Sequence, residues 1–475
     1  MDIFKIFFKT KDKFLTSVLV SLTFLLLISG LSSIFLRQPA TWYDEEIHYV
    51  RSIQIANGDI LKTQKQDNTK YGGKISQTQN EFITKAFNSK LFDKEIEAIE
   101  PNWMEDYASI RSNDKSIYKV SVTAVSYMPF QYFPFSFIVL INKVLHLSVT
   151  SEFILMRLSG FLVSFVLLIL AIRIIPFGKL TLSLIALCPP FFLSMSSVTA
   201  DSFVFGITSL FIAYSLSLIY KSIQRTDRIT KNEIIIYSLI SLGLIFAKPP
   251  AFLLVALTIP VIIVGLHNKV LTKKQSLYLL SLILFLAFIT LLWLFIVRNV
   301  DSSHYFGVAA DISKQVAFLK SNPKTVLILL VKEISNYNFF GMQLGYADSA
   351  NYMQLPMLSS FFIVISVTLS TLISDNVIEY DNSWNKKFVF FFNAYKIIGF
   401  LVIVAITFLL LYLQFTPVAA PQIDGVQPRY FLPYWLLLLS IAPKKINTNK
   451  KTIMFIVLSG LVPLIYYFIF LFIQL

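Results

Sequence analysis

An uncharged apolar segment near the amino terminus constrains the fold of this chain more than any other feature. It runs for 23 residues, from Phe14 to Leu36, without a charged side chain. A helix of that length crosses the hydrocarbon core of a bilayer, where only helices and closed barrels satisfy every backbone polar group. Arg37-Gln38-Pro39 follows instead of a small-residue cleavage site, so we expect a retained anchor helix.

The rest of the chain has the same apolar character. Of its 475 residues, 56% are hydrophobic and only 14% are charged, whereas soluble domains usually carry about 25% charged residues. The single cysteine, Cys188, lies inside an apolar run, which excludes disulfides within the chain and cysteine-based metal clusters. We therefore expect an all-α polytopic membrane protein.

The net charge of +14 is concentrated in short connectors between apolar segments. The long polar segment 37–126, in contrast, has 12 Lys and Arg against 13 Asp and Glu. Short basic loops mark the cytoplasmic side of a membrane protein. This distribution argues against a nucleic-acid partner. It predicts a multi-pass protein of the cell membrane with a cytoplasmic amino terminus.

The charge rule gives about 11 transmembrane helices within one membrane domain, residues 1–475. The expected crossings are 14–36, 153–172, 180–197, 203–220, 233–249, 251–266, 277–297, 355–374, 388–413, 429–442 and 453–474. Residues 37–126 form a large first external loop containing interfacial helices, and residues 298–354 form a second external segment. Polar residues or prolines interrupt 127–147 and 324–340, so both are expected to be re-entrant or interfacial.

Ionisable side chains at the expected external ends of these helices form the candidate site. Tyr43-Asp44-Glu45-Glu46-Ile47-His48 places three carboxylates and an imidazole directly after the first segment. The other candidates at this face are Asp201 in a short turn, Lys248 before two prolines, Arg298 at a helix end, and Arg429 beside Tyr430. Ionisable residues at membrane depth are costly and usually face a cavity or a partner.

Each of these residues also has an ordinary structural explanation. The acidic residues could mark a solvated helix exit, and Asp201 could cap the next helix. Lys248 could snorkel to the headgroups, and Arg429 could be an interfacial anchor. Three acids and a histidine nevertheless exceed what a helix boundary needs. Together the residues predict a pocket with carboxylates on one wall and cations on another.

That combination suits transfer of a sugar from a polyprenyl-phosphate donor. The reaction needs a carboxylate that deprotonates the acceptor hydroxyl and cations that neutralise the departing phosphate. Asp44 is the candidate base, with Glu45 or Glu46 positioning it and His48 as a neighbouring catalytic imidazole. The candidate donor-phosphate site consists of Asp201, Lys248, Arg298, Arg429 and Tyr430.

A metal ion is left open by the sequence. Hard oxygen ligands and one imidazole for Mg or Mn could come from Asp44, Glu45, His48 and Asp201. The same mixture of residues is equally consistent with an acid held in place by a neighbouring imidazole.

Four short motifs resemble, in the same order, those of a bacterial domain-of-unknown-function family of predicted polytopic membrane proteins. They are Tyr43-Asp44-Glu45-Glu46-Ile47-His48-Tyr49-Val50-Arg51 with Gln54 and Ala56, Thr199-Ala200-Asp201-Ser202, Ala247-Lys248-Pro249, and Gly425-Val426-Gln427-Pro428-Arg429-Tyr430-Phe431-Leu432-Pro433. The chain departs from the family pattern at Glu46, where proline is common, and at Pro428, where another residue usually stands.

That family is similar in layout to the GT-C glycosyltransferases, whose first external loop carries an essential acid and whose donors are polyprenyl-phosphate sugars. The resemblance implies a GT-C-like envelope enzyme with an extracytoplasmic active site. Its implied partners are the lipid bilayer, a polyprenyl-phosphate-linked sugar, and a cell-wall polysaccharide, surface polysaccharide or lipid-linked acceptor. The alternatives are a transporter or flippase of lipid-linked saccharides and a non-catalytic partner in envelope polysaccharide assembly. The clustering of polar residues at one face, with no internal repeat, favours the enzyme over the transporter.

Overall fold

Helices make up most of the chain. The computed structural model describes residues 7–8, 12–39, 41–64, 67–88, 103–110, 115–120, 124–225, 227–298, 310–339, 357–372, 386–439 and 449–474. Its helices are α1 (Lys13–Leu36), α2 (Glu45–Ala56), α3 (Gln77–Ile83), α4 (Trp103–Ala108), α5 (Phe133–Leu145), α6 (Val149–Ile174), α7 (Lys179–Ala186), α8 (Pro189–Met195), α9 (Ala200–Gln224), α10 (Lys231–Ile245), α11 (Thr258–His267), α12 (Lys273–Ile296), α13 (Ile312–Ser321), α14 (Pro323–Asn336), α15 (Met357–Leu372), α16 (Lys386–Gln414), α17 (Trp435–Leu439), α18 (Lys450–Gly460) and α19 (Val462–Gln474).

Seven described helical segments are long and apolar enough to cross a membrane. They are α1, α6, α9, Pro249–His267, α12, Phe390–Gln414 and Lys450–Ile469. A shorter apolar helix covers Met357–Thr371. The chain is therefore a helical membrane protein, as predicted. The described residues do not reproduce the predicted number of about 11 continuous crossings, because prolines break several of them.

Three predicted crossings differ from continuous helices. Segment 180–197 forms two short, wholly buried helices, α7 and α8, since Pro189 and Pro190 start a new helix instead of extending the first. Segment 233–249 is helical only to the end of α10, and Lys248 is extended before Pro249. Segment 429–442 begins with two 3₁₀ turns, after which α17 covers only Trp435–Leu439.

Burial separates central helices from peripheral ones. Helix α9 is almost wholly buried and packs along α6, whereas α12 exposes most of its apolar surface. Apolar surface on a membrane helix is stable against lipid, so α12 is the helix whose surface fits contact with acyl chains.

A second, smaller core forms around the polar segment 37–126, which we call the cap. Its centre is formed by Tyr49 of α2, Phe82 of α3, Trp103 of α4 and Phe153 of α6. An antiparallel sheet of β1 (Lys62–Gln64), β2 (Asp67–Ser76) and β3 (Ser116–Val120) covers it, in the order β1-β2-β3. The sequence predicted interfacial helices in this segment but not the sheet.

A buried carboxylate joins the cap to the membrane helices. Glu152, in the first turn of α6, accepts hydrogen bonds from Tyr49 Oη at 3.0 Å, Gln79 Nε2 at 3.0 Å and Asn142 Nδ2 at 2.7 Å. These donors come from α2, α3 and α5. The cap is therefore held on the end of the bundle where α6 begins.

Candidate functional site

Four charged side chains from distant parts of the sequence meet in one hydrogen-bonded group, here called the charged cluster. Arg429 donates from Nη2 to Asp44 Oδ2 and from Nη1 to Asp201 Oδ2, both at 2.7 Å. Lys248 Nζ lies 2.5 Å from Asp201 Oδ1. The cluster thus consists of two carboxylates and two cations, linked in the order Asp44, Arg429, Asp201, Lys248.

Helix ends and helix breaks position all four side chains. Asp44 immediately precedes α2 and has a left-handed backbone (φ 59°, ψ 12°), a conformation that costs most L-residues about 1–2 kcal/mol but that Asp adopts more readily. Asp201 lies in the first turn of α9, and Lys248 lies in the extended break before Pro249. Arg429 belongs to the 3₁₀ turn Pro428–Tyr430. Irregular backbone at the ends of membrane helices is tolerated where it lines a protein cavity.

Exposure differs sharply across the charged cluster. The side chains of Arg429 and Asp201 are only 4% and 6% exposed, and that of Lys248 is 16% exposed. The carboxylate-bearing side chain of Asp44 is 33% exposed. Asp44 is therefore the accessible acid of the cluster, and Lys248 is its more accessible cation.

Tyrosine rings surround the two cations. Lys248 Nζ lies 5.0 Å from the ring centroid of Tyr430 and 5.9 Å from that of Tyr127. Arg429 Cζ lies 4.6 Å from the ring of Tyr43 and 5.2 Å from that of Tyr430. Such cation–π contacts hold cations in orientation without neutralising them. Tyr430 was predicted as a site residue. Tyr127 was missed, because an aromatic residue in an apolar stretch carries no distinguishing signal.

His48 lies one helical turn after Asp44 and borders the charged cluster. Its Nδ1 is 2.8 Å from Tyr132 Oη, and its ring centroid is 5.9 Å from that of Tyr127. Burial lowers the pKa of His48 to about 4, while Asp44 and Asp201 raise it and Lys248 and Arg429 lower it. The imidazole is therefore neutral at neutral pH, so that one ring nitrogen donates and the other accepts.

The lowered pKa of His48 predicts that the folded protein loses stability in acid. Because the folded pKa lies below the ordinary value of 6.5, the contribution of neutral His48 to stability is complete above about pH 6.5 and is lost as pH falls toward 4. The loss amounts to roughly 3 kcal/mol. Unfolding at several pH values in detergent should show a steeper decline for wild type than for His48→Gln. Parallel curves for the two proteins would contradict the assignment.

Glu45 does not lie in the charged cluster, although its position beside Asp44 predicted a catalytic role. Its carboxylate accepts from Arg157 Nε at 2.8 Å and Nη2 at 2.7 Å, and from the Val198 backbone N–H at 3.1 Å. Burial opposes its ionisation, but the charge and hydrogen bonds of Arg157 outweigh burial and lower the pKa of Glu45. Glu46 is half-buried, and burial raises its pKa, partly offset by Lys119.

Arg298 also stands apart from the charged cluster. It follows α12, is exposed, and donates from Nη1 to the carbonyl of Phe295 at 2.7 Å, with its guanidinium over the Phe295 ring. Its described contacts are thus with its own helix end. Arg298 does lie at a helix end, as predicted, but it does not contact the other predicted site residues.

The four ligands considered for Mg or Mn do not converge. Asp44 and Asp201 share Arg429, Glu45 faces Arg157, and His48 faces Tyr132. Within the described ranges, no three His, Cys, Asp or Glu side chains are arranged to hold a metal ion. The residues present therefore do not fit the proposed metal site.

A small pocket lies between α12 and the residues on either side of Lys248. Its walls include Tyr127, Ala247, Pro249, Thr290 and Trp293, and its volume is about 10 Å³, which is room for roughly one water molecule. Ala247 and Pro249 flank Lys248 in sequence, and Thr290 and Trp293 belong to the exposed apolar helix. The pocket therefore adjoins the backbone segment that carries Lys248 and a helix suited to lipid contact.

A family model described as predicted membrane protein (DUF2142) matches residues 27–438. The matched range contains all four members of the charged cluster, as well as Glu45, His48 and Arg157. No curated protein and no solved structure matches the chain. Because the family model covers most of the sequence, the chain belongs to the DUF2142 family of predicted membrane proteins.

Proposed function

We propose that this protein is a GT-C-like membrane glycosyltransferase that moves a sugar from a polyprenyl-phosphate carrier to a cell-wall or surface polysaccharide. The observation that carries the proposal is the charged cluster, in which an accessible carboxylate, Asp44, shares Arg429 with a second carboxylate bound to Lys248. An acid for proton transfer and two cations for a phosphate are the groups that this reaction requires.

The reaction balances with these residues alone. The acceptor hydroxyl oxygen forms a bond to the anomeric carbon of the donor sugar, while the bond from that carbon to the phosphate oxygen breaks. The hydroxyl proton passes to Asp44, and the electron pair of the broken bond stays on the phosphate. Lys248 and Arg429 stabilise the added negative charge.

Phosphate binding also frees the base. In the structure Asp44 shares Arg429 with Asp201. A donor phosphate competes with the carboxylates for the two cations, because phosphate forms strong charge-assisted hydrogen bonds with Arg and Lys. Asp44 is then released toward the acceptor in the presence of the donor. This order protects the site from proton transfer before both substrates are bound.

The charge rule places the cluster on the extracytoplasmic face, with the amino terminus in the cytoplasm. The lipid tail of the donor stays in the bilayer while its phosphate reaches Lys248 from the side of α12. In this arrangement the acceptor approaches from the exposed side of Asp44.

Binding of undecaprenyl phosphate to the protein in nanodiscs tests the phosphate site. We expect Lys248→Gln to weaken binding by about 10-fold, equivalent to about 1.4 kcal/mol, because one charge-assisted contact is lost. Lys314→Gln is the matched control, since Lys314 pairs with Asp311 at an exposed position. Equal affinities for wild type and Lys248→Gln would remove Lys248 from the site.

Sugar transfer needs a second measurement that separates an enzyme from a transporter. Polyprenyl-phosphate hexoses are incubated with the protein in nanodiscs, and the release of polyprenyl phosphate is followed by mass spectrometry. An enzyme releases it in the presence of an acceptor, whereas a flippase moves the intact donor between leaflets of proteoliposomes. Donor translocation without release would overturn the proposal in favour of the transporter.

A further inference from the structure

The end of α14 brings a tyrosine to the side of the charged cluster. Tyr337 directly follows this helix, and its ring packs edge-on against Phe431 and Phe408 with centroid distances of 5.7 Å and 5.3 Å. Phe339 contacts both Tyr337, at 5.0 Å, and Phe431, at 5.2 Å. Phe431 is buried and lies two residues after Arg429. These aromatic contacts attach the end of α14 to the turn that carries Arg429.

The hydroxyl group of Tyr337 is buried and has no hydrogen-bond partner among the residues that the structure describes. The residue as a whole is only partly buried, so its hydroxyl lies deeper than part of its ring. A buried hydroxyl without a partner costs about 1–3 kcal/mol, and buried polar groups in folded proteins are nearly always paired. The Tyr337 hydroxyl is therefore a candidate to bind a polar group of a ligand.

Two further phenol groups lie near this hydroxyl. Burial raises the pKa of Tyr337, and the phenol groups of Tyr430 and Tyr43 raise it further. The same two rings flank Arg429, whose Cζ lies 4.6 Å from the Tyr43 ring and 5.2 Å from the Tyr430 ring. The Tyr430 ring also lies 5.0 Å from Lys248 Nζ. Phenols from three separate segments of the chain thus adjoin the two cations.

These phenols supply neutral hydrogen-bonding groups. Burial, opposed by Arg429 and assisted by Asp44, raises the pKa of Tyr430 to about 12. Tyr430 and Tyr337 therefore stay protonated at neutral pH, and each hydroxyl both donates and accepts a hydrogen bond. A phosphate prefers the neighbouring cations. Neutral hydroxyls and flat aromatic rings suit instead the hydroxyls and the C–H faces of a sugar, because such sites combine an apolar lining with a few placed polar groups.

We propose that Tyr337, Tyr430 and Tyr43 bind the sugar ring of the lipid-phosphate donor, and that the Tyr337 hydroxyl pairs with one sugar hydroxyl. This assignment rests on the proposed function, in which Lys248 and Arg429 hold the donor phosphate. The sugar is bonded to that phosphate, so its binding site has to adjoin both cations, as the three phenols do. A site that hydrogen-bonds a substrate hydroxyl rejects an analogue that lacks it. Tyr337 therefore selects among donor sugars.

Tyr337→Phe tests the assignment, because it removes the hydroxyl and leaves the ring packing. Binding in nanodiscs is measured for undecaprenyl phosphate alone and for undecaprenyl phosphates that carry glucose, galactose, mannose or arabinose. We expect the best-bound sugar lipid to lose about 10-fold in affinity, the contribution of one hydrogen bond, and undecaprenyl phosphate alone to bind as before. The unfolding midpoint should not fall, since no described residue pairs with this hydroxyl. Tyr278→Phe, at an exposed position of α12, is the matched control.

Monodeoxy versions of the best-bound sugar locate the paired hydroxyl. One of them should bind to wild type as weakly as the complete sugar lipid binds to Tyr337→Phe, and should lose nothing more in that variant. Equal affinities of wild type for lipid phosphate with and without a sugar would overturn the sugar site while leaving the phosphate site in place. Equal losses for both ligands in Tyr337→Phe would show a distorted cluster and would also overturn it. If wild type bound no undecaprenyl phosphate at all, the proposed function would be refuted, and the sugar site with it.

Discussion

Exchange of Glu45 for glutamine is expected to lower the free energy of unfolding by about 3–5 kcal/mol, because it leaves a buried cation without its counter-charge. The Glu45 and Arg157 side chains are both fully buried, and their two hydrogen bonds form a parallel fork. Without the Glu45 carboxylate, the Arg157 guanidinium stays buried and charged, and no water replaces the lost partner.

The surroundings of Arg157 increase the expected loss. Arg157 also donates to the carbonyls of Arg37 at 2.6 Å and Gln38 at 2.9 Å, just beyond the end of α1. Arg37 is itself buried, with its Nη2 donating to Ser197 Oγ. The Glu45 carboxylate therefore lies beside two buried guanidinium groups, those of Arg157 and Arg37. Neutralising it would leave two cations close together.

Chemical unfolding in detergent gives the measurement, with Glu233→Gln as the control. Glu233 pairs with Lys221 at a partly exposed position, where an ion pair contributes about 0–1 kcal/mol. The double variant Glu45→Leu/Arg157→Met should recover part of the stability, since it removes both charges of the pair while Arg37 stays buried. A double variant as unstable as Glu45→Gln would show that packing, and not charge pairing, governs this position.

The contacts of Glu45 also connect it with the segments that carry Asp44 and Asp201. Glu45 follows Asp44 directly, and its Oε1 also accepts from the Val198 N–H, close before Asp201. One buried carboxylate therefore joins the segments that carry both acids of the charged cluster. This geometry supports a positioning role for Glu45, with Asp44 as the acid that faces the acceptor.

The sequence predicted which residues lie at the same end of the helices better than it predicted which of them are neighbours. The charge rule placed Asp44, Asp201, Lys248 and Arg429 at one end of the helices, and these four do meet. The charge rule also placed Arg298 at this end of the helices, but Arg298 lies at the end of a peripheral helix, away from the other four. Hydropathy and charge report depth along a helix axis, but they contain no information about neighbours in the membrane plane.

The remaining differences have local causes. A hydropathy window averages over Pro189 and Pro190, so it predicted one crossing where the structure has two short buried helices. The cap sheet gives no clear alternating pattern, because β1 has only three residues and the ten residues of β2 are mostly polar, with two adjacent glycines, Gly72 and Gly73. The contact of Tyr132 with His48 depends on tertiary packing, which no local motif encodes.

Asp44→Asn is expected to reduce sugar transfer by about 10²-fold to 10⁴-fold, the usual contribution of a general base. The fold should persist, because asparagine tolerates the left-handed backbone and its side-chain oxygen still accepts from Arg429. Removal of one negative charge leaves Arg429 less neutralised, so binding of undecaprenyl phosphate should be unchanged or tighter.

That opposite response of transfer and binding identifies a base more specifically than loss of activity alone. Transfer is followed as released polyprenyl phosphate, binding as the Kd in nanodiscs, and folding as the unfolding midpoint. Asp311→Asn, at an exposed position capping α13, should leave all three quantities unchanged. If Asp44 were only a partner that orients Arg429, the asparagine variant would retain transfer, since the hydrogen bond to Arg429 survives the exchange. Retained transfer with intact binding would therefore show that Asp44 only orients Arg429, and His48 would become the candidate base.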